Sequence, residues 1–384
     1  MSNRIIFWRS VPIDVSKGDF STFVGLWDGD ILVVSHNDYS MERKACGYQN
    51  DLYPNVKYIV LSNEKNAKQK ACEIIKDNVH AIHMFNGIRG ENRWVLNCLI
   101  RSCKQQKVRP LIGVIAERPN LFGVSFVRKL KSMAYKIVYG GLARRYNRYI
   151  SCFLAMGRYG VNSYQSYGFC GDRLYPYMYC PQLSKVTLEE TEIQEIKFLY
   201  IGRFNFFAKG LDVLMEAFGK LPKGEWSLDL VGGYGENSSE VISWCNGENI
   251  RFLGSWDSRE ICEKMKNYDV CIVPSRYDGW NLIPNQAIHC GIATIISDEA
   301  VSDELIRYSG AGVVICSGDV NKWQQTLEHT VKEKEIVKEW KKAAKSYQNK
   351  ISGETVGKYF YDIIQYTFGD LKVKPTCPWE VKEK

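Results

Sequence analysis

Short, almost unbroken apolar runs alternate with longer stretches of helical periodicity along most of this chain. Ile5, Ile6, Phe7 and Trp8 form the first run, followed by residues 31–35, 58–61, 81–84 and 111–115. Runs this short without polar alternation predict strands buried on both faces. Between them, residues 66–76 and 94–106 place apolar side chains at the three- and four-residue intervals of a helix. Strand and helix in alternation predict parallel βαβ units with right-handed crossovers, hence a Rossmann-like N-terminal domain.

The strand signal lapses over residues 184–195, a polar segment rich in Glu and Thr, and resumes at 196–201. A second series of runs follows at 228–231, 250–253, 270–273, 293–297 and 312–315. The expected organisation is two Rossmann-like domains, residues 1–185 and 195–350. A C-terminal helix over 351–370 is expected to cross back to the first domain, with a tail at 371–384. A length of 384 residues suits two α/β domains of under about 200 residues each.

Composition narrows the class. Hydrophobic residues at 45% and charged residues at 24% exclude extensive disorder. No apolar stretch reaches the length of a membrane-spanning helix, and the N-terminus lacks a signal-peptide pattern, so a cytoplasmic protein is expected. The cysteines, scattered from Cys46 to Cys377 without a Cys-x-x-Cys pair, read as reduced thiols rather than metal ligands. The net charge of +8 is concentrated: residues 118–171 hold nine Lys and Arg and no acid, leaving the remainder close to neutral. An anionic membrane, an anionic lipid-linked substrate or nucleic acid would all respond to that field. Nucleic acid is set aside because RNA-binding strand signatures and helix-turn-helix patterns are missing from the sequence.

Ligands of open α/β sheets bind beyond the carboxyl ends of the strands, so the loops there hold the candidate chemistry. Residues 198–201 lead into Gly202, Arg203 and Phe204, and Lys209-Gly210 opens a helix over 211–218. A helix start preceded by an Arg fork and a mobile Lys suits a diphosphate, although a solvated loop with two surface cations fits equally well. The run at 228–231 enters the cluster Gly232, Gly233, Tyr234, Gly235, which lets backbone approach a ligand or simply turn. Between a strand at 270–273 and a helix near Pro284 lie Asp278, Gly279, Trp280, Asn281 and Leu282, with Gln286 in the helix. A carboxylate beside backbone N–H groups suits sugar hydroxyls and an anionic leaving group together.

The ordered set Gly202-Arg203, Lys209-Gly210, Gly232-Gly233, Pro274-Ser275, Asp278-Gly279 and Gly291 resembles the retaining glycosyltransferases of family four, over roughly residues 196–320. The resemblance implies the GT-B fold, two Rossmann-like domains facing each other across a cleft. It also implies a nucleotide diphosphate sugar donor, of UDP or GDP type, and a glycan or lipid-linked acceptor in cell-surface polysaccharide synthesis. No resident cofactor or metal is implied. Arg203 and Lys209 would bind the diphosphate and stabilise the leaving nucleotide, with Gly202, Gly232, Gly233, Gly279, Trp280, Asn281 and Leu282 around the donor. The family's two glutamates, seven residues between them, correspond to Asp278 and Gln286. Asp278 keeps the charge on a shorter arm for the sugar, while Gln286 meets the ribose without a carboxylate.

In the N-terminal half, Glu117 follows the run at 111–115 near a position where many family members carry His. It is a candidate for orienting the donor sugar or acceptor hydroxyl, and equally for a capping carboxylate. His83, Asn86-Gly87 and the early loop at 10–20 are further candidates, with a hydrogen-bonded structural role the simpler account of His83. Phe126, Val127, Leu130, Met133, Ala134, Ile137 and Val138 share one helical face, with Arg128, Lys129, Lys131 and Lys136 mostly elsewhere. Such a helix either packs on the core or lies on an anionic membrane, and the acid-free surroundings favour the membrane. A non-catalytic nucleotide-sugar or polyanion-binding protein and a GT-B-type sugar-nucleotide epimerase are the alternatives.

Overall fold

The computed structural model describes residues 3–12, 16–41, 44, 53, 55–121, 125–183, 192–233, 235–245 and 248–380, with backbone alone at 125. Cys46, Phe122, Tyr234, residues 13–15 of the early loop, 184–191 of the expected linker and the last four residues of the tail lie outside them. The chain forms two compact units, Met1–Gln182 with Gly353–Pro378, and Leu183–Ser352 with Trp379–Lys384.

The first unit is built on seven parallel strands: β1 (Arg4–Arg9), β2 (Asp30–Ser35), β3 (Val56–Val60), β4 (Ile82–Asn86), β5 (Leu111–Ala116), β6 (Ile150–Met156) and β7 (Leu174–Tyr177). Their order is β3-β2-β1-β4-β5-β6-β7, with β1 between two parallel neighbours in the registers Ile5↔Ile31 and Ile5↔Ile82. Ile5, Ile6, Phe7 and Trp8 are buried because helices cover both faces of the sheet. Helix Ala67–Asp77 begins where the Asn66 side chain accepts the Gln69 N–H at 3.2 Å, satisfying an otherwise orphaned donor. Helix Glu91–Gln105 buries Val95, Leu96, Leu99, Ile100 and Cys103 on one side, as its periodicity requires.

Helix Gly353–Phe368 lies in this unit, against helix Lys17–Leu26. Phe360 sits 4.8 Å from the Phe23 ring and 5.6 Å from Tyr177. The segment read as a tail is anchored: Trp379 is completely buried, and the Tyr347 hydroxyl donates to its carbonyl.

The second unit holds six parallel strands: β8 (Ile196–Gly202), β9 (Trp226–Gly232), β10 (Ile250–Phe252), β11 (Val270–Val273), β12 (Ala293–Ser297) and β13 (Gly312–Ile315), ordered β10-β9-β8-β11-β12-β13. Phe198, Leu228, Val270, Ile272, Ile295, Trp323 and Leu327 contribute to its core. In both sheets the chain winds outward in one direction, then returns to the centre and winds the other way. The reversal falls between β1 and β4 in the first sheet and between β8 and β11 in the second. Loops after those strands part to opposite faces, and the crevice they leave is where a ligand fits. No helix among the described residues is long and apolar enough to cross a membrane. The described cysteines are free thiols.

Candidate functional site

In the second unit the loops leaving β8 and β11 are stitched together by backbone. Asn205 caps the short helix Phe206–Lys209, its side chain accepting the Ala208 N–H at 2.7 Å. Gly210 then turns the chain into helix Leu211–Gly219 with φ of +65°. A Cβ on Gly210 would stand 2.1 Å from the Pro274 carbonyl oxygen, so the position needs glycine for both conformation and space. Across the gap, the N–H groups of Arg276 and Tyr277 donate to the Ala208 carbonyl at 2.9 and 3.1 Å. The Arg276 guanidinium grips Asp212 through two bonds of 2.6 Å and also donates to the Phe206 carbonyl at 2.5 Å.

This stitching brings Lys209 and Asp278 together although 69 positions separate them. Lys209 Nζ lies 2.6 Å from Asp278 Oδ1, with the two side chains only 16% and 15% exposed. The second carboxylate oxygen accepts from Asn281 Nδ2 at 2.9 Å, while Asn281 Oδ1 accepts the Ile283 N–H at the start of helix Ile283–His289. Asp278 also pairs with Ala300 in an isolated parallel bridge, which ties the loop to the segment after β12. Arg203 is exposed, and its carbonyl accepts the Tyr200 hydroxyl at 2.9 Å. Burial raises the pKa of that phenol, the Asp278 charge raises it further and the Arg203 charge lowers it, so Tyr200 is a donor at neutral pH.

The remaining sequence candidates differ in burial and in what they touch. Gly202 and Gly232 end adjacent strands, paired in register, and a Cβ on Gly232 would meet the Gly202 carbonyl oxygen at 1.9 Å with φ at +133°. Gly233 and Gly279 are half-buried. Trp280 is buried, its indole N–H donating to Asn285 Oδ1 at 3.1 Å. Leu282 is half-buried, and Gln286 on helix Ile283–His289 is 5% exposed. The sequence passed over Tyr200, Asp212, Arg276 and Asn285, together with the buried acids Asp303 and Glu304 that open helix Asp303–Ser309. Asp212 and Arg276 stand 64 positions apart, so nothing local marks them as a pair.

The first unit carries its own cavity at the β1/β4 reversal, about 290 Å³ in volume, lined by Ser10, Asn86, Arg89, Glu117, Tyr139 and Tyr164 among others. Glu117 is exposed there, and its carbonyl accepts the Tyr164 hydroxyl at 2.8 Å. The Arg89 guanidinium lies 5.4 Å from the Tyr139 ring centre, a cation–π distance. His83 belongs to the core: Nδ1 accepts the Trp8 indole N–H at 3.0 Å, and Nε2 faces the Asn78 carbonyl at 2.9 Å as a donor. Burial lowers its pKa to about 4, so it is a neutral structural histidine.

Residues 195–333, which contain the stitched loops, match the family described as Glycosyl transferases group 1. An uncharacterized 41.2 kDa protein in the cps region of Klebsiella pneumoniae is 24% identical over 151 residues, 39% of this chain and 41% of that protein's length. Among solved structures, Anabaena HepE in complex with UDP is similar with a TM-score of 0.71 at 12% identity, over 94% of this chain and 99% of that one. The lipopolysaccharide outer core galactosyltransferase WaaB gives 0.66 at 15% identity, again over 94% and 99%. The two parallel α/β units have the fold of GT-B glycosyltransferases.

Proposed function

We propose that the chain is a glycosyltransferase that moves a sugar from a nucleotide diphosphate donor to a glycan or lipid-linked acceptor, with retention of configuration, in cell-surface polysaccharide synthesis in the cytoplasm. The observation that carries this is the Lys209–Asp278 pair, held with Arg203 in loops on either side of the second sheet's reversal. A diphosphate entering there meets two cations and the N-terminal turn of helix Leu211–Gly219. Lys209 can turn from Asp278 to a phosphate oxygen, which frees Asp278 to accept hydrogen bonds from sugar hydroxyls. As the glycosidic bond breaks, negative charge grows on the nucleotide, and Arg203 and Lys209 stabilise it more than they stabilise the intact donor.

In this reading Gln286 donates to and accepts from ribose hydroxyls through a neutral amide, and Trp280, Asn281 and Leu282 wall the sugar end. Glu117, on the first unit's own cavity, is assigned to orienting the acceptor hydroxyl. The Glycosyl transferases group 1 match over 195–333 and the relative from a cps region support the polysaccharide setting. Anabaena HepE, with structures solved with UDP and with UDP-glucose, supports a UDP-type donor. Thermal unfolding of the full chain with a panel of UDP- and GDP-sugars tests the proposal: one donor should raise the melting temperature of the wild type and leave Lys209→Ala unmoved. Absence of a shift with every donor at saturating concentrations would reject the donor site. Retention is tested separately, by whether the product anomer seen by proton NMR matches that of the donor.

A further inference from the structure

Helix Ser125–Tyr146 wears its apolar stripe on the wrong side for a core helix. Tyr139, Leu142, Ala143 and Tyr146 are 0–7% exposed and pack into the first unit's core. Phe126, Leu130, Met133 and Ile137, spaced four, three and four residues apart, are 71%, 50%, 64% and 76% exposed. At the α-helical repeat the two sets point about 180° apart, so the exposed stripe faces directly away from the protein body. Val127 and Val138 widen it, at 38% and 44% exposure. Six large apolar side chains contiguous on one helix mark an interaction surface rather than chance exposure.

The charges around the stripe identify what covers it. Exposed Lys129 and Lys136 flank it, and Arg144, seven residues after Ile137, continues the same face as a cation. Beside its C-terminal end opens a groove of about 810 Å³ whose lining includes Lys136, Arg144, Arg148 and Arg173. The sequence from Arg118 to Gly171, which supplies Lys129, Lys136, Arg144 and Arg148, contains no acid. A second copy of the chain would set this cationic face against its equal, and nucleic acid would satisfy the cations while leaving the apolar stripe in water. An anionic phospholipid bilayer satisfies both, with headgroup phosphates on the cations and the stripe at the acyl boundary. We propose that the first unit docks on anionic membranes through the exposed face of helix Ser125–Tyr146, whatever the chemistry of the second unit.

Sedimentation of the full chain with phosphatidylcholine vesicles, with and without about one third phosphatidylglycerol, tests this. The wild type is expected to partition at least about tenfold more strongly onto the anionic vesicles, since each cation near such a surface contributes about fivefold. Leu130→Glu/Ile137→Glu should lose at least about tenfold, because two carboxylates replace inserted apolar side chains. Lys129→Glu/Lys136→Glu should lose more at low salt than at high salt. Circular dichroism checks that these exposed positions leave the fold intact. A tryptophan at position 133, introduced as Met133→Trp, should shift its emission to the blue only with anionic vesicles. Equal sedimentation of the wild type and Leu130→Glu/Ile137→Glu overturns the proposal. So does a dimer in analytical ultracentrifugation that the same double variant dissociates, and so does DNA binding that survives that variant while vesicle binding is absent.

Discussion

Replacing Lys209 with Ala separates two roles of one side chain. In the folded chain Lys209 is one of two hydrogen-bond partners of the Asp278 carboxylate, the other being Asn281. Its loss leaves a carboxylate 15% exposed with one donor and partial access to water. A pair of this exposure contributes modestly, so the expected stability cost is about 1 to 2 kcal/mol, a few degrees of melting temperature. The effect on turnover should be much larger. A cation that meets charge developed only in the transition state contributes about 3 to 4 kcal/mol, a factor of about 10² to 10³. The assay is release of nucleoside diphosphate under saturating donor, alongside a melting curve of the same preparation. A drop in turnover of at least about a hundredfold with a nearly intact melting curve is expected. A folded Lys209→Ala protein with wild-type turnover would refute the assignment, and a collapse of the fold would show that the pair is structural first.

Three further outcomes are expected. Gln286→Glu should preserve or tighten nucleotide diphosphate binding in calorimetry, while Gln286→Leu should weaken it by roughly 1 to 3 kcal/mol; a Leu variant that binds as well as Gln removes position 286 from the ribose site. Gly210→Ala should destabilise the chain by about 1 to 3 kcal/mol or more and lower donor binding with it, because φ of +65° and the Pro274 carbonyl 2.1 Å from the new Cβ both oppose it; an unchanged melting curve contradicts the close packing of the two loops. Burial raises the Asp19 carboxyl from 3.8 to about 7 despite hydrogen bonds from Tyr177 and the Cys180 N–H, so the folded state keeps a proton that the unfolded state loses above pH 3.8. Asp19 therefore costs stability as pH rises from 4 to 7, while His83, lowered from 6.5 to about 4, costs stability as pH falls through that window. Asp19→Asn removes the first effect, so its stability relative to wild type should rise with pH by on the order of 4 kcal/mol between the two limits, and a pH-independent difference refutes the buried carboxyl.

Much of the fold was legible because buried parallel strands announce themselves as short apolar runs. The runs at 270–273, 293–297 and 312–315 are the strands β11, β12 and β13 residue for residue. Two strands gave no such signal. In β6 the sequence Ile150-Ser151-Cys152-Phe153-Leu154-Ala155-Met156 mixes helix-favouring residues into the run, and β7 carries Pro176, tolerable because β7 is an edge. Periodicity found one face of helix Ser125–Tyr146 but could not say which way it points, since packing partners, not spacing, decide that. The membership of Gly353–Phe368 in the first unit depends on Gly353 and Gly357, whose missing Cβ atoms allow approach to the backbone of Gly18 and Asp19. In the site, the charged loop residues stood out by type and position after a strand. The Arg276–Asp212 clamp and the Tyr200 hydroxyl did not, because each acts through a partner that only the folded sheet brings within reach.

If the loops after β8 and β11 hold a nucleotide diphosphate between Arg203 and Lys209, nucleotide binding needs both cations. Calorimetric titration of UDP and of GDP into the full chain, wild type and Arg203→Ala/Lys209→Ala, measures this without knowledge of sugar or acceptor. One nucleotide should give saturable binding to the wild type, weakened at least about a hundredfold in the folded double variant, since two charge-assisted contacts are lost. Binding of equal strength to both proteins, or no heat from either nucleotide with the wild type, would rule out a diphosphate site between Arg203 and Lys209.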